Sequence, residues 1–413
     1  MKYVIIGNSA AAVGCVEGIR SVDRTGTVTV ISDEPYPAYS RPLISYLLLG
    51  KTDEEHMRYR PDDFYRKNGV KTLLGRKAVG VDPRQKTVSL ENGEQVPFDR
   101  LLFATGSRPF VPPMAGLESV EKKFSFMKLD DAKALGAALS EKTRVLIVGA
   151  GLIGLKCAEG IRGRVQSIAV VDLADRILPS ILDAEGSALV RRHLEKQGIR
   201  FTLGDSVARF TGNTALLKSG GQIPFDVLVV AVGVRPNTRL AAGAGCRVGR
   251  GIAIDGRSAT SVPDLYAAGD CCECRDITTG TDRILAVLPN AYLQGETAGV
   301  NMAGGEKTFD KAIPMNSIGF FGLHIITAGS YEGEAWVRKT ESTYKKLVTK
   351  DNLLKGYILI GDVARAGIYT SLIREKTPLD TIDYELVREK PQLMAFAADR
   401  RAAMLGGKAN VSD

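Results

Sequence analysis

Short apolar runs that stop at a glycine recur along this chain. Tyr3-Val4-Ile5-Ile6 stops at Gly7, and Val145-Leu146-Ile147-Val148 stops at Gly149. Leu101-Leu102-Phe103-Ala104 ends at Thr105-Gly106, and the run from Val227 to Val232 ends at Gly233. Runs of this kind, apolar at every position, predict strands buried on both faces, as in a parallel sheet. After Gly149 the period changes. Positions 152, 155, 156 and 159 fall on one side of a helix, facing either the sheet or a domain interface. Further strands, Thr27–Ile31 and Ser167–Val171, lead into acids at Asp33-Glu34 and Asp172. Toward the end the pattern is different. Leu347-Val348-Thr349, a turn at Asp351-Asn352, and Gly356 to Gly361 predict a β-hairpin. A helix from Ala364 to Ile373 is expected against it. Pro391 to Leu405 reads as a closing helix, and Gly406 to Asp413 as a frayed tail.

Both glycine loops carry a dinucleotide fingerprint. In Gly149-Ala150-Gly151-Leu152-Ile153-Gly154, Gly149 allows the tight turn and Gly151 lets a pyrophosphate approach the backbone. Gly154 lets helix and strand pack closely. The helix N-terminus offers free N–H groups and positive dipole to the phosphates. Candidate contacts are Gly149, Gly151, Ile153 and Gly154. Asp172 lies 21 residues beyond Gly151, where an acid hydrogen-bonds a ribose 2′-hydroxyl and favours NADH over NADPH. Arg176, close by, argues the other way. The first loop, Gly7-Asn8-Ser9-Ala10-Ala11-Ala12, departs from the pattern. Ser9 crowds the pyrophosphate with a Cβ but offers a hydroxyl. Ala12 is an accepted third residue, and Gly7, Ser9, Ala10 and Ala12 are its candidate contacts. Either Asp33 or Glu34 takes the adenosine ribose. The competing reading of each loop is a βα turn with no ligand.

Leu265-Tyr266-Ala267-Ala268-Gly269-Asp270 completes the set of motifs. With it, the chain resembles the FAD-dependent pyridine nucleotide-disulfide reductases over roughly its first three quarters. The resemblance implies an α/β fold with two Rossmann-like dinucleotide-binding domains, the NADH domain inserted in the FAD domain, plus a small α+β C-terminal domain. It implies that Asp270 holds the ribityl chain of FAD, that Gly269 approaches the flavin, and that Thr105 and Gly106 close over it. Gly233 takes the matching part beside NADH. The implied boundaries are 1–112 and 241–313 for FAD, 113–240 for NADH and 314–413 for the last domain, with Val111-Pro112-Pro113 as the crossing linker. The helix entered through Leu288-Pro289-Asn290-Ala291 would turn its N-terminus, with Asn290, toward the flavin.

The segment Pro35 to Ser45 makes the chain most similar to NADH oxidases and NADH:rubredoxin reductases, a comparison in which Arg41 faces the FAD pyrophosphate. Related disulfide and peroxide reductases place a redox cysteine near 41–46. Here no cysteine lies between Cys15 and Cys157, so thiol–disulfide exchange from that position is excluded. Lys156 is a second departure, since relatives often carry glutamate there. Two readings stand: a positive charge near flavin N5, or a solvated helix lysine. Glu159 is a second candidate for the nicotinamide pocket.

Composition narrows the partners. With 55 Lys and Arg against 47 Asp and Glu, the net charge is +8. That suits steering of a small acidic electron-transfer protein such as rubredoxin or ferredoxin. No Lys/Arg block reads as a nucleic-acid patch. No apolar run reaches the roughly 20 residues of a membrane span, and no signal peptide precedes the first strand. The expectation is a soluble cytoplasmic enzyme, a homodimer or a subunit of a larger redox complex. Of the six cysteines, Cys271, Cys272 and Cys274 cluster, but an iron–sulfur centre wants a fourth ligand. They read as reduced thiols, and the three histidines share no metal-ligand spacing. Three fates remain for the electrons: a small iron protein, oxygen, or slow turnover in a mainly structural or signalling subunit.

Overall fold

The computed structural model describes residues 1–404. Leu405 and the expected tail from Gly406 to Asp413 lie outside the described residues. The first apolar run forms the strand Lys2–Ile6 at the centre of a five-stranded parallel sheet. Across that sheet the order is Leu265–Ala267, Arg100–Phe103, Lys2–Ile6, Thr27–Ser32, Val70–Leu74. The helices Ala10–Val22 and Leu288–Met302 pack against each other with their backbones close together. A Cβ on Gly14 or Gly18 would meet the carbonyl of Tyr292 or Glu296 at 2.3 Å.

The same plan recurs in the middle of the chain. A second five-stranded parallel sheet runs Ile199–Leu203, Ser167–Asp172, Arg144–Val148, Val227–Val230, Lys123–Phe124. All of its strands fall between two strands of the first sheet, so the chain must cross over and return. The crossing segments pair with each other: Ser107–Pro109 runs antiparallel to Val234–Pro236.

The last unit is a five-stranded antiparallel sheet, ordered Met315–Phe320, Leu323–Gly329, Leu353–Ile360, Tyr344–Lys350, Glu334–Lys339. The turn at Asp351 and Asn352 has φ of 53° and 59°, the left-handed pair that matches a two-residue hairpin. One face of this sheet holds its own core with the helix Ala366–Arg374. On the other, Phe320, Ile325, Tyr344, Ile358 and Ile360 merge with the core of the middle unit.

The closing helix expected from Pro391 is corrected. Leu393–Ala395 is a short 3-10 turn, and the helix starts only at Ala398. Phe396 is extended and 2% exposed. Its burial in the core of this unit holds the segment out of the helix. Among the described residues no helix is long and apolar enough to cross a membrane.

Candidate active site

A cleft opens at the carboxyl ends of the first sheet, where ligands of open α/β sheets bind. Gly7 turns there at φ +117°, and a Cβ on it would meet the Ala104 carbonyl at 2.0 Å. Ser9 is the N-cap of the helix Ala10–Val22, but its side chain makes no capping bond. The first N–H groups of that helix and the Ser9 hydroxyl are therefore presented together at the cleft, beside Asn8 and Ala10. Ala12 is buried behind the loop.

Asp33 and Glu34 sit at the rim and differ sharply. Glu34 is buried. One of its carboxylate oxygens accepts from Arg41 at 2.5 Å and the other from the Tyr39 hydroxyl at 2.7 Å. Asp33 is exposed and pairs with Lys128 at 2.9 Å. Arg41 lines the cleft, but its guanidinium is engaged by Glu34 and stacked on Tyr39 instead of lying open for a pyrophosphate.

Thr105, Gly106, Gly269 and Asp270 form the far wall. Gly106, at φ +62°, has open space where a Cβ would stand, room for a ligand to lie on the backbone. The Asp270 carboxylate faces the Ser107 hydroxyl at 3.4 Å. Burial raises its pKa, against smaller opposing effects of Ser107 and Arg41. The helix Leu288–Met302 turns Leu288 and Ala291 to the cleft. Asn290 departs from expectation: its side-chain amide is buried and donates to the Ile313 carbonyl at 2.9 Å, away from the cleft.

Several lining residues went unread in the sequence. Ser125, Met127, Lys128 and Asp131 reach the cleft from the inserted unit, as does Asn237. Asp131 organises this strip by accepting from the N–H of Met127 at 2.8 Å and of Lys128 at 3.1 Å. An acid at the third helical position was the only local signal for it.

The second cradle is the loop from Gly149. Gly149 sits at φ +117° against the Ala231 carbonyl, and a Cβ on Gly154 would meet the Gly149 carbonyl at 2.1 Å. Gly151 and Gly233 both face open space. Ile153 stands partly exposed in the first helical turn. Asp172 accepts backbone N–H bonds from Ala150 at 2.6 Å and Ala174 at 2.8 Å, so it braces the loop it was expected to serve. Arg176 pairs with Asp175. The open glycines, helix N-termini and carboxylates of the two cradles fit two dinucleotides.

Lys156 is not a solvated lysine. Its side chain is 17% exposed and ion-paired with Glu159, which is 5% exposed. Cys271 and Cys272 are buried with their sulfurs 3.6 Å apart, while Cys274 is partly exposed. Among the described residues no three His, Cys, Asp or Glu are placed to hold a metal.

Comparison with known proteins agrees with this geometry. Residues 1–295 match the family model for pyridine nucleotide-disulphide oxidoreductases, and residues 314–377 match the C-terminal domain of rubredoxin NAD+ reductase. The chain is 31% identical over 393 residues to the epsilon subunit of NADH-dependent phenylglyoxylate dehydrogenase from Aromatoleum evansii, covering 92% of each. It is also 31% identical to nitrite reductase [NAD(P)H] of Bacillus subtilis, covering 92% of this chain but only 48% of that one. In fold it is similar to the reductase of a covalent putidaredoxin reductase–putidaredoxin complex, with a TM-score of 0.86 at 22% identity over 100% of this chain and 99% of the other.

Proposed function

Because the chain belongs to the pyridine nucleotide-disulphide oxidoreductase family, it is an NADH-dependent FAD oxidoreductase, and we propose that it passes its electrons to a small acidic iron protein of the rubredoxin or ferredoxin type. When bound, FAD would supply the redox chemistry between NADH and the acceptor. The chain's own residues bind and orient. In this reading the loop at Gly7, with Ser9 and the helix N-terminus behind it, holds the FAD pyrophosphate. Asp270 takes the ribityl chain, and Thr105 and Gly106 cover it. The loop from Gly149 to Gly154, with Asp172, holds NADH. Residues 1–112 and 241–313 make the FAD unit, 113–240 the NADH unit, and the chain from 314 the C-terminal unit.

The observation that carries the choice of acceptor is the match of residues 314–377 to a rubredoxin reductase domain. The net charge of +8 supports it, because long-range attraction speeds a weak encounter with an acidic carrier. A second reading, a subunit that delivers electrons inside a larger redox complex, is favoured by the likeness to the epsilon subunit over nearly its whole length.

The test is steady-state turnover with rubredoxin, ferredoxin, oxygen and a neutral dye. Carrier reduction at subsaturating concentration should fall clearly as salt rises to physiological strength, where charge reaches only about 8 Å. Dye reduction should hardly change. If carrier reduction is salt-insensitive, or slower than oxygen reduction at matched concentration, the proposal fails.

A further inference from the structure

The two cradles belong to different units of the chain. The distance between their ligands therefore depends on how those units are held together. Besides the paired crossing segments, two helices bring the units into contact. Ile44–Leu48 follows Arg41, which lines the first cleft, and Leu152–Ile161 begins at the second glycine loop. They approach closely: a Cβ on Gly160 would meet the Ser45 carbonyl at 2.9 Å.

Lys156 lies in this seam. Its ammonium stands 4.6 Å from the ring centre of Tyr46 on the facing helix and 5.6 Å from that of Phe320 in the C-terminal sheet, both within cation–π range. It also donates to the Gly319 carbonyl at 3.2 Å. Glu159 neutralises it and, through its other oxygen, accepts the Phe321 N–H at 2.7 Å. His193 holds the Phe320 carbonyl at 3.0 Å. Phe321 sits at φ +48°, a conformation that costs a bulky residue energy and persists where surrounding contacts impose it.

The geometry points to Lys156 and Glu159 as positioning residues for hydride transfer: a largely buried ion pair that locks the NADH helix to Tyr46 on one side and to the hairpin tip at Phe320 and Phe321 on the other. The lock sets the spacing of the two cradles through contacts among the protein's own residues. It rests on the NADH-to-FAD half-reaction and not on the identity of the acceptor.

Removing Lys156 alone would leave a buried carboxylate unpaired, so the test uses K156M/E159Q, with Y46L and K156R beside it. Two quantities are read. The first is hydrogen–deuterium exchange of segments 42–49 and 317–323 in the ligand-free protein. The second is stopped-flow reduction of the flavin by NADH with no acceptor present. In K156M/E159Q both segments should exchange about tenfold faster. The limiting reduction rate should fall about tenfold or more, with the NADH Kd within about threefold of the wild type, because misplacement costs rate more than binding. Y46L should show the same split, with faster exchange in 42–49, and K156R should recover most of the rate. Unchanged exchange, or faster exchange with an unchanged limiting rate, overturns the lock. If K156M/E159Q does not fold, Y46L decides by the same criteria. Wild-type protein that NADH cannot reduce would instead sink the assigned activity.

Discussion

Thr105 and Asn237 exchange hydrogen bonds across the crossing point of the chain. The Thr105 hydroxyl donates to the Asn237 carbonyl at 2.6 Å, and the Asn237 amide donates to the Thr105 carbonyl at 2.9 Å. Arg108 adds a bond to the Asn237 side chain at 3.1 Å. This clasp joins the outgoing and returning segments where both line the first cleft. N237A should cost about 1–3 kcal/mol by leaving the Thr105 carbonyl unpaired. It should also release FAD at lower denaturant, read by flavin fluorescence. A melt and release curve equal to wild type would show that the paired segments hold without the clasp.

Asp270 links flavin binding to pH. Burial sets its folded pKa above the usual carboxylate range. In the ligand-free protein its favourable contribution to stability is present below the unfolded pKa and lost as pH rises through the folded value. A ribityl hydroxyl donating to the carboxylate favours the ionised form. FAD affinity of the apoprotein should therefore climb as pH rises through the raised value and then level off. D270N should lack that step, and D270A should lose most bound FAD. Full flavin content in D270A would remove Asp270 from this role.

Asp172 should make NADH the preferred coenzyme, because its carboxylate repels a 2′-phosphate and accepts from a free hydroxyl. The ratio of kcat/KM for NADH and NADPH measures this. Equal values would mean that Arg176 outweighs it. D172A should also loosen the loop, since Ala150 and Ala174 lose their acceptor.

The cysteine cluster should carry no electrons. C271S/C272S/C274S is expected to keep NADH-to-dye turnover within about twofold, since the hydride path needs only the flavin. Loss of turnover with FAD still bound would reveal a second redox centre there.

Acid should weaken the docking of the C-terminal sheet. Burial alone would raise the Asp183 pKa, but the Tyr344 hydroxyl, the Gly186 N–H and Lys346 together lower it. A lowered folded value means that its stabilisation is complete above the unfolded pKa and is lost as pH falls toward the folded one. Unfolding followed below about pH 4 should therefore be shallower in D183N, which keeps an N-cap but not the ionised acceptor. D183N should be about 1–3 kcal/mol less stable at neutral pH. An identical acid profile would locate the acid-sensitive group elsewhere.

Elements whose cause is local were legible. The apolar runs ending at Gly7, Gly149 and Gly106 are strands and turns in the structure, because the positive φ that each glycine adopts is a requirement of one residue at one place. The Asp351-Asn352 turn is of the same kind. The closing helix failed because the pull on Phe396 comes from a core assembled by distant strands. Asn290 likewise answers to Ile313, 23 residues on.

By itself the sequence determined two dinucleotide cradles, the strands that carry them and the absence of a redox thiol between Cys15 and Cys157. Each follows from residues adjacent in the chain, whose conformational demands are met within a few bonds. Only the tertiary structure decided what each charged side chain does. Glu34 takes Arg41, and Glu159 grips a backbone N–H 162 residues away. A buried charge must find an opposite charge or a donor. Which one it meets depends on how the separate units pack, a relation that no local pattern encodes.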